Sequence, residues 1–452
     1  MPEIATLLAR LAADLDGALL TRSHPSYATA CRTPRPAPHR ARPRSIVRCA
    51  SVSDVVAAVR YARAAGERLV ARGGGHCFAG RSTCDGVVLD MSGLNSISVD
   101  DAGVATIGAA ARLGQVYTAL QARGRSLPGG CGATVGIAGL TLGGGIGLLG
   151  RRYGLTCDRL VGADIVLADG RLARCDADHE ADLFWALRGS GGGQFGVVTS
   201  LRFDTVAEPL MRWISAHHTA RDVADLTRLV AAWQRFAPHA RDEVTVNLTI
   251  GRAPPGGMHV DIMGASMLDE AATRHVLAEF TSDAGGFITV DVQGGIAYHR
   301  LKSLLDDPRD ADKPVRSRSE FHADLHAATV ARLLTLIARG DPIAPRRITF
   351  TAMGGAYNRV AADATAFAHR DARFLLEHVG PPSDPWVDAS WSAAHVDGSG
   401  GVYPNFPDTE LHDHAAAYHG ANHAGLVAVK DSYDPEAFFD FPQAIQPSER
   451  TR

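Results

Sequence analysis

The residues best placed to do chemistry come early in the chain, in Val70-Ala71-Arg72-Gly73-Gly74-Gly75-His76-Cys77-Phe78-Ala79-Gly80. Three consecutive glycines reach backbone conformations closed to other residues. Such a loop can turn its N–H groups inward as a concave anion site suited to a pyrophosphate. A histidine at the end of that cradle would lie along a bound nucleotide, with Arg72 opposite it in charge to the phosphates.

Three further glycine-rich segments keep this loop company. One runs from Leu127-Pro128-Gly129-Gly130 through Thr134-Val135-Gly136 to Leu142-Gly143-Gly144-Gly145-Ile146-Gly147. Another is Arg152 to Asp158, before the strand-like Ala163–Gly170. The last is Arg188-Gly189-Ser190-Gly191-Gly192-Gly193-Gln194-Phe195-Gly196-Val197-Val198. None has the βαβ dinucleotide fingerprint or the lysine of a phosphate-binding P-loop. They read as several loops that meet around one long ligand.

Together these segments resemble the FAD domain of the berberine bridge enzyme-like flavoproteins, within the vanillyl-alcohol-oxidase group. Tyr403-Pro404-Asn405-Phe406-Pro407-Asp408 resembles that family's Tyr-x-Asn-Tyr-x-Asp strand. Tyr418–Asn422, Val427–Pro435 and Phe438 resemble its closing helix and tail, and Gly354–Ala356, Arg359 and Thr365–Arg370 its middle section. The likeness runs from about Arg48 to Pro447. It implies an α+β fold: a two-part FAD-binding domain of the PCMH type (1–205 and 401–452) around a substrate domain (206–400) whose antiparallel sheet is covered by helices.

The resemblance also implies roles. FAD would be bonded covalently through a ring nitrogen of His76 to its 8α carbon, a lever a protein has on a cofactor's electronics. Arg72, Gly73, Gly74, Gly75, Ala79, Gly80, Val135, Gly136, Gly139, Leu142, Gly143, Gly147, Gly196 and Val198 would hold the cofactor, with Tyr403 and Asn405. Phe78, Ile146, Thr349, Thr351, Met353 and Phe406 would line the substrate. Val135 matches the position where oxygen approaches the flavin, and valine there goes with oxidase behaviour that releases hydrogen peroxide.

The sequence departs from the family in two places. The usual base, the tyrosine after the motif's asparagine, is Phe406, which cannot take a proton. Tyr403 and Asn405 are left as the catalytic candidates on one face of that segment, although a phenol near pKa 10 is a poor base at neutral pH. Glu377 stands near a position where some members carry a carboxylate base, and is expected at the surface. In the second departure, Gly132 occupies the place of the cysteine that forms a second tether in many members. Cys131 lies one residue early, and a one-residue shift turns a side chain to the opposite side. A single bond, through His76, is therefore expected.

The reading is a cytoplasmic FAD-linked oxidase. It would take a hydride from a small specialised metabolite (an amine, an acidic phenol or enol, or an activated alcohol) and pass the electrons to O2. A redox-neutral or cyclising flavoenzyme fits the apolar Phe78, Ile146 and Phe406 set as an alternative, and a flavin carrier is a third.

Elements must position these residues. Ser51–Ala65 reads as a helix capped by Ser51 or Ser53, with Val55, Val56, Val59 and Ala62 at helical spacing. Gly86–Asp90 and Val104–Gly108 read as buried strands and Arg112–Arg123 as a helix. Beyond Val206, strands over Val244–Ile250, His259–Ala265 and Ile348–Met353 alternate with helices over Val223–Ala237, Ala271–Phe280 and Ala327–Ala338. That pattern predicts an antiparallel sheet with helices on one side. Asp182–Trp185 reads as a helix with Trp185 in the core. Pro34–Pro43 reads as an ordered crossing or a mobile loop.

Composition agrees with a soluble globular protein of two or three lobes: 452 residues, 46% hydrophobic and 21% charged. A formal net charge of −3 gives no reason to expect nucleic acid or an anionic membrane as partner. No apolar run reaches the roughly 20 residues of a membrane span, and Met1–Arg10 lacks a basic region ahead of an apolar core. The seven cysteines lack a metal-type Cys-x-x-Cys pair and are expected as reduced thiols. His217, His218, His299 and His322 have no spacing that demands a metal. Oligomeric state is not set by the sequence.

Overall fold

The parallel strands that lead into the first glycine loop are apolar in their middle and end on Arg48, Asp90 and Arg72. A computed structural model of the chain describes residues 2–35, 41–220, 222–253, 257–286, 288–305, 315–339 and 345–448. In it, Ala18–Thr21, Ser45–Arg48, Val87–Asp90 and Leu69–Arg72 form a sheet in that order, the last three parallel. Ile46, Val47, Val87, Val88 and Leu89 are fully buried, as a parallel sheet covered on both faces requires. The helix expected from Ser51 runs Val52–Ala64 and opens on a capping box between Ser51 and Asp54. Arg72 ends the edge strand, so the Gly73–Gly75 loop leaves from a carboxyl end, the usual ligand side of parallel strands.

A second, antiparallel sheet has the order Ile97–Val99, Val104–Gly108, Val197–Asp204, Leu160–Val166, Leu172–Cys175. The helix after it, Leu113–Gln121, carries the next glycine segment on its flank. Of the Pro34–Pro43 stretch, residues 36–40 lie outside the described residues.

The third sheet is a seven-stranded antiparallel one. Its order is Asp291–Ala297, Leu210–Ala220, Gly257–Ser266, Val244–Ala253, Arg347–Ala352, Phe374–Gly380, Arg316–His322. Alternation sorts its side chains. Val246, Leu248, Ile250, Ile348, Phe350, Phe374 and Leu376 pack under the helices Val223–Phe236, Glu270–Asp283, Ala327–Ala338 and Trp386–His395. Thr249, Thr349, Thr351, Leu375 and Glu377 point the other way. Four of these strands were not foreseen from the sequence. In Arg316–His322 the reason is plain: Arg318, Ser319, Glu320 and His322 are polar residues that are buried, leaving no apolar alternation to read.

The seam between the sheets is polar and buried. Arg151, 1% exposed, donates to the carbonyls of Val244 and Pro238, both at 2.9 Å, and also to those of Met353 and Ala240. Burial pulls its pKa down to about 10. Arg370 grips Asp158 through two bonds of 2.6 and 2.9 Å. The chain then returns to the first lobe, where helix His423–Tyr433 packs on helix Ala181–Ala186. Trp185 is only half-buried there, and its indole N–H donates to the Asp363 carbonyl at 2.7 Å.

Candidate active site

The glycine loops interlock through backbone that has no room for side chains. A methyl group on Gly74 would stand 2.2 Å from the Gly136 nitrogen, and one on Gly147 would stand 1.9 Å from the Gly129 oxygen. Gly75 and Gly80 adopt φ of +72° and +71°, values that disfavour other residues. The amides of Gly189 and Gly191 both donate to the Leu142 carbonyl, at 3.1 and 2.7 Å. The structure therefore joins Gly73–Gly75 to Gly136 and the 189–193 loop to Leu142, as one cradle. Gly139 faces open space. Gly196 closes on Val166, and Val198 is buried in the second sheet. Ala79 and Val135 are half-buried.

Two polar groups stand ready at this cradle. Arg72 is 5% exposed; its Nη2 bonds Asp90 at 3.3 Å, while Nη1 is buried with no hydrogen-bond partner. His76 is half-buried, and its Nε2 meets Thr134 Oγ1 at 2.9 Å. A close-packed glycine cradle, an unsatisfied guanidinium nitrogen and a histidine at its lip fit a dinucleotide such as FAD.

Cys131 is contacted by a residue the sequence did not flag. Lys302, 3% exposed, donates to the carbonyls of Gly129 and Gly130 at 2.8 and 3.0 Å and reaches Cys131 Sγ at 3.5 Å. Its ammonium also lies over the rings of Tyr117 and Tyr298.

Beyond the cradle is an aromatic floor. Phe78 meets Phe406 edge-on at 5.4 Å, and Phe406 meets Tyr403 at 5.1 Å. Ile146 and Phe406 pack on the cluster of Met353, Tyr357, Phe367, Leu375 and Tyr403. The Tyr403 hydroxyl is engaged from three sides, by the amides of Gly145 and Ile146 and by Asn405 Nδ2, at 3.0, 3.1 and 3.0 Å. Asn405 Nδ2 also donates to the Leu140 carbonyl at 2.8 Å. Burial pushes the Tyr403 phenol up, against the lowering from those donors. Both residues thus brace the Gly143–Gly147 turn, and a raised pKa makes Tyr403 a poorer proton acceptor still.

The sheet supplies the other wall. Thr349 pairs with Glu377 and Thr351 with Leu375 across neighbouring strands. Leu375 belongs to the aromatic cluster, and Glu377 follows it two residues on, on the same face. Glu377 is half-buried and accepts from Ser317 Oγ at 2.6 Å, so its expected surface position is corrected to the inner wall. Thr349 and Thr249 share a hydrogen bond at 3.2 Å. Met353 is fully buried beneath the floor.

Comparison with known proteins accords with this arrangement. A family profile described as "FAD binding domain" matches residues 43–176, and one described as "Berberine and berberine like" matches residues 402–446. An uncharacterised FAD-linked oxidoreductase, YgaK of Bacillus subtilis, is 32% identical, covering 97% of this chain and 98% of its own. The chain belongs to the berberine bridge enzyme-like family of FAD-linked oxidoreductases. A chitooligosaccharide oxidase of Gibberella zeae, from the same family, is 30% identical over 90% of this chain and 87% of its own. Among solved structures, the glucooligosaccharide oxidase of Acremonium strictum superposes with a TM-score of 0.89 at 25% identity, covering 98% of this chain and 99% of that one. Its flavin is a 6-S-cysteinyl, 8α-N1-histidyl FAD.

The family's α+β architecture and FAD-binding domain are thus this chain's. Lys302, Thr134, Tyr357 and Phe367 were missed by sequence reasoning. Only Lys302 carried any signal, as one of three lysines in the chain. Tyr357 bonds both the amide and the carbonyl of Gly147, at 3.0 and 2.8 Å. Among the described residues no group of His, Cys, Asp or Glu could hold a metal ion, and no helix is long and apolar enough to cross a membrane. All seven cysteines are free.

Proposed function

We propose that this protein is an FAD-dependent oxidase with the cofactor bonded to His76, acting on a small molecule held between the aromatic floor and the inner wall of the seven-stranded sheet. The observation that carries the reading is that Phe78, two residues after His76, stands against Phe406 at 5.4 Å. The attachment point and the apolar floor are therefore one site. FAD, when bound, accepts a hydride and returns the electrons to O2 as hydrogen peroxide.

The chain's own residues do the rest. The glycine loops and Arg72 hold the phosphates, and the short side chain of Val135 leaves room for O2. Phe78, Ile146 and Phe406 exclude water from the reacting end of the substrate. Thr349, Thr351 and Thr249 offer hydroxyls to its outer part. Glu377 is the carboxylate in reach of that face and takes the substrate's proton, while Tyr403 and Asn405 keep the floor in place. An amine, an acidic phenol or enol, or an activated alcohol with a hydrogen-bonding outer half suits this division. Seven unpaired thiols suit a cytoplasmic setting.

The test is to mix the purified protein with a panel of such compounds. Bleaching of the flavin without air, and peroxide formation in air, are expected for at least one class. Neither signal across the panel overturns the proposal. The apolar pairing of Phe78 with Phe406 favours a redox-neutral or cyclising reaction as the second reading; a product that has lost no hydrogen would select it.

A further inference from the structure

We propose that Ser317 is the positioning residue for the Glu377 carboxylate: its hydroxyl holds one oxygen on the inner wall and leaves the other to meet the substrate. The inference rests on the reading that Glu377 takes the substrate's proton.

The bond crosses from the edge strand to its neighbour. Ser317 Oγ donates to Glu377 Oε1 at 2.6 Å, within the short range of hydroxyl–carboxylate bonds. Among the described residues it is the one hydrogen bond of the Glu377 side chain. Strands Arg316–His322 and Phe374–Gly380 are antiparallel, with Ser317 opposite Val379, Ser319 opposite Glu377 and Phe321 opposite Leu375. Phe321 and Leu375 both belong to the aromatic cluster, so alternation puts Ser317 and Glu377 on that same inner face. A diagonal neighbour is within reach of a side chain as long as glutamate. The bond therefore draws the carboxylate along the wall, toward Val379 and away from Leu375. The stretch of wall over Leu375 and Thr351 is left for the substrate's reacting end.

What fixes Ser317 lies on the other face of the sheet, where its chain neighbours Arg316 and Arg318 point by alternation. Arg316 grips Asp388 through two bonds of 2.7 and 2.6 Å. Arg318 is buried and bonds Asp408 at 2.6 Å and Asp388 at 3.1 Å. Asp388 belongs to helix Trp386–His395, and Asp408 to the segment that carries Tyr403, Asn405 and Phe406. The strand under Ser317 is thus tied both to a covering helix and to the segment that builds the floor. A glutamate left to itself would spread over several rotamers. A proton acceptor must lie within hydrogen-bond reach of its proton, and a small misplacement is costly. In the step it serves, the proton of the substrate's N–H or O–H moves to the second oxygen of Glu377. The hydride of the adjoining C–H moves to FAD, and a C=N or C=O bond is left.

The experiment uses the flavin-loaded full chain as wild type, Ser317→Ala, Ser317→Thr, Glu377→Gln and the double variant of Ser317→Ala with Glu377→Gln. Benzylamine, 4-hydroxybenzyl alcohol and cinnamyl alcohol are the probes, and flavin reduction is followed without air. Ser317→Ala should lower the limiting rate on the order of tenfold to a hundredfold, with half-saturating concentration, flavin content and urea midpoint little changed. Ser317→Thr keeps the hydroxyl and should restore most of the rate. In the Glu377→Gln background, loss of Ser317 should cost nothing more, because its effect runs through the carboxylate. An equal cost in both backgrounds, or a wild-type rate in Ser317→Ala, overturns the role of Ser317. A wild-type rate in Glu377→Gln overturns the base reading instead. Crystals of wild type and Ser317→Ala give a readout that needs no substrate. The carboxylate should be ordered against Ser317 in the first and spread or turned toward Leu375 in the second; one position shared by both overturns the proposal. If Ser317→Ala is unstable, Ser317→Val against Ser317→Thr makes the same contrast, and equal rates in that pair overturn it.

Discussion

The two walls of the active site are built from different materials. The cofactor wall is backbone against backbone: Gly74 on Gly136, Gly147 on Gly129, and the 189–193 loop on Leu142. The proposed substrate wall is one face of a regular sheet, where Thr249, Thr349, Thr351 and Glu377 decorate a ladder whose pairing does not depend on them. Changes on the first wall alter the shape of the main chain. Changes on the second are expected to alter chemistry and leave the fold standing.

The hardest blow to the first wall is Gly74→Ala. A methyl 2.2 Å from the Gly136 nitrogen forces the two loops apart, and the purified chain should carry almost no flavin, measured as the flavin-to-protein ratio. Full flavin content in this variant would break the contrast. Next in size is the seam between the walls. Asp158→Asn strands the buried Arg370 guanidinium, a loss of about 3–5 kcal/mol by the usual cost of breaking a buried pair, read from urea unfolding.

On the second wall, Glu377→Gln should keep its full flavin content while kcat falls, by roughly 100-fold or more if the carboxylate takes the substrate's proton. Flavin loss in that variant would show that the walls are not separable.

The smallest effect is what one buried histidine contributes to the pH dependence of stability. Burial lowers His322 to about 4 and His378 to about 3, against 6.5 when exposed. The unfolded chain therefore binds the proton first. Their contribution is full above about 6.5 and is lost as pH falls toward 4, at roughly 1.4 kcal/mol per pH unit for each histidine. Urea midpoints between pH 7 and 5 should show this slope, and His378→Gln should make it shallower by one histidine's share.

The same contrast explains what could be read in advance. Arg72–His76, Gly136 and Gly143–Gly147 were legible because close backbone approach leaves glycine as its mark. Helices Val52–Ala64 and Ala327–Ala338 were legible from caps and periodicity. Glu377 was misplaced because nothing local says which face of strand Phe374–Gly380 turns inward; only its register with Arg347–Ala352 does. Thr134 and Lys302 act across 58 and 171 positions, and no spacing rule spans such distances. Tyr403 was visible, but the three donors on its oxygen, which make it a brace, come from Gly145, Ile146 and Asn405 once folded.

That brace has a consequence for synthesis. The turn from Gly143 to Gly147 is held by Tyr403 and Asn405, with bonds that span 258 and 265 positions of the chain. At about 5–20 residues per second, a nascent chain spends many seconds with its cofactor loops made but unbraced. Flavin capture therefore waits for Tyr403 and Asn405, and chains stopped before position 403 should be colourless even though every glycine of the cradle has been made.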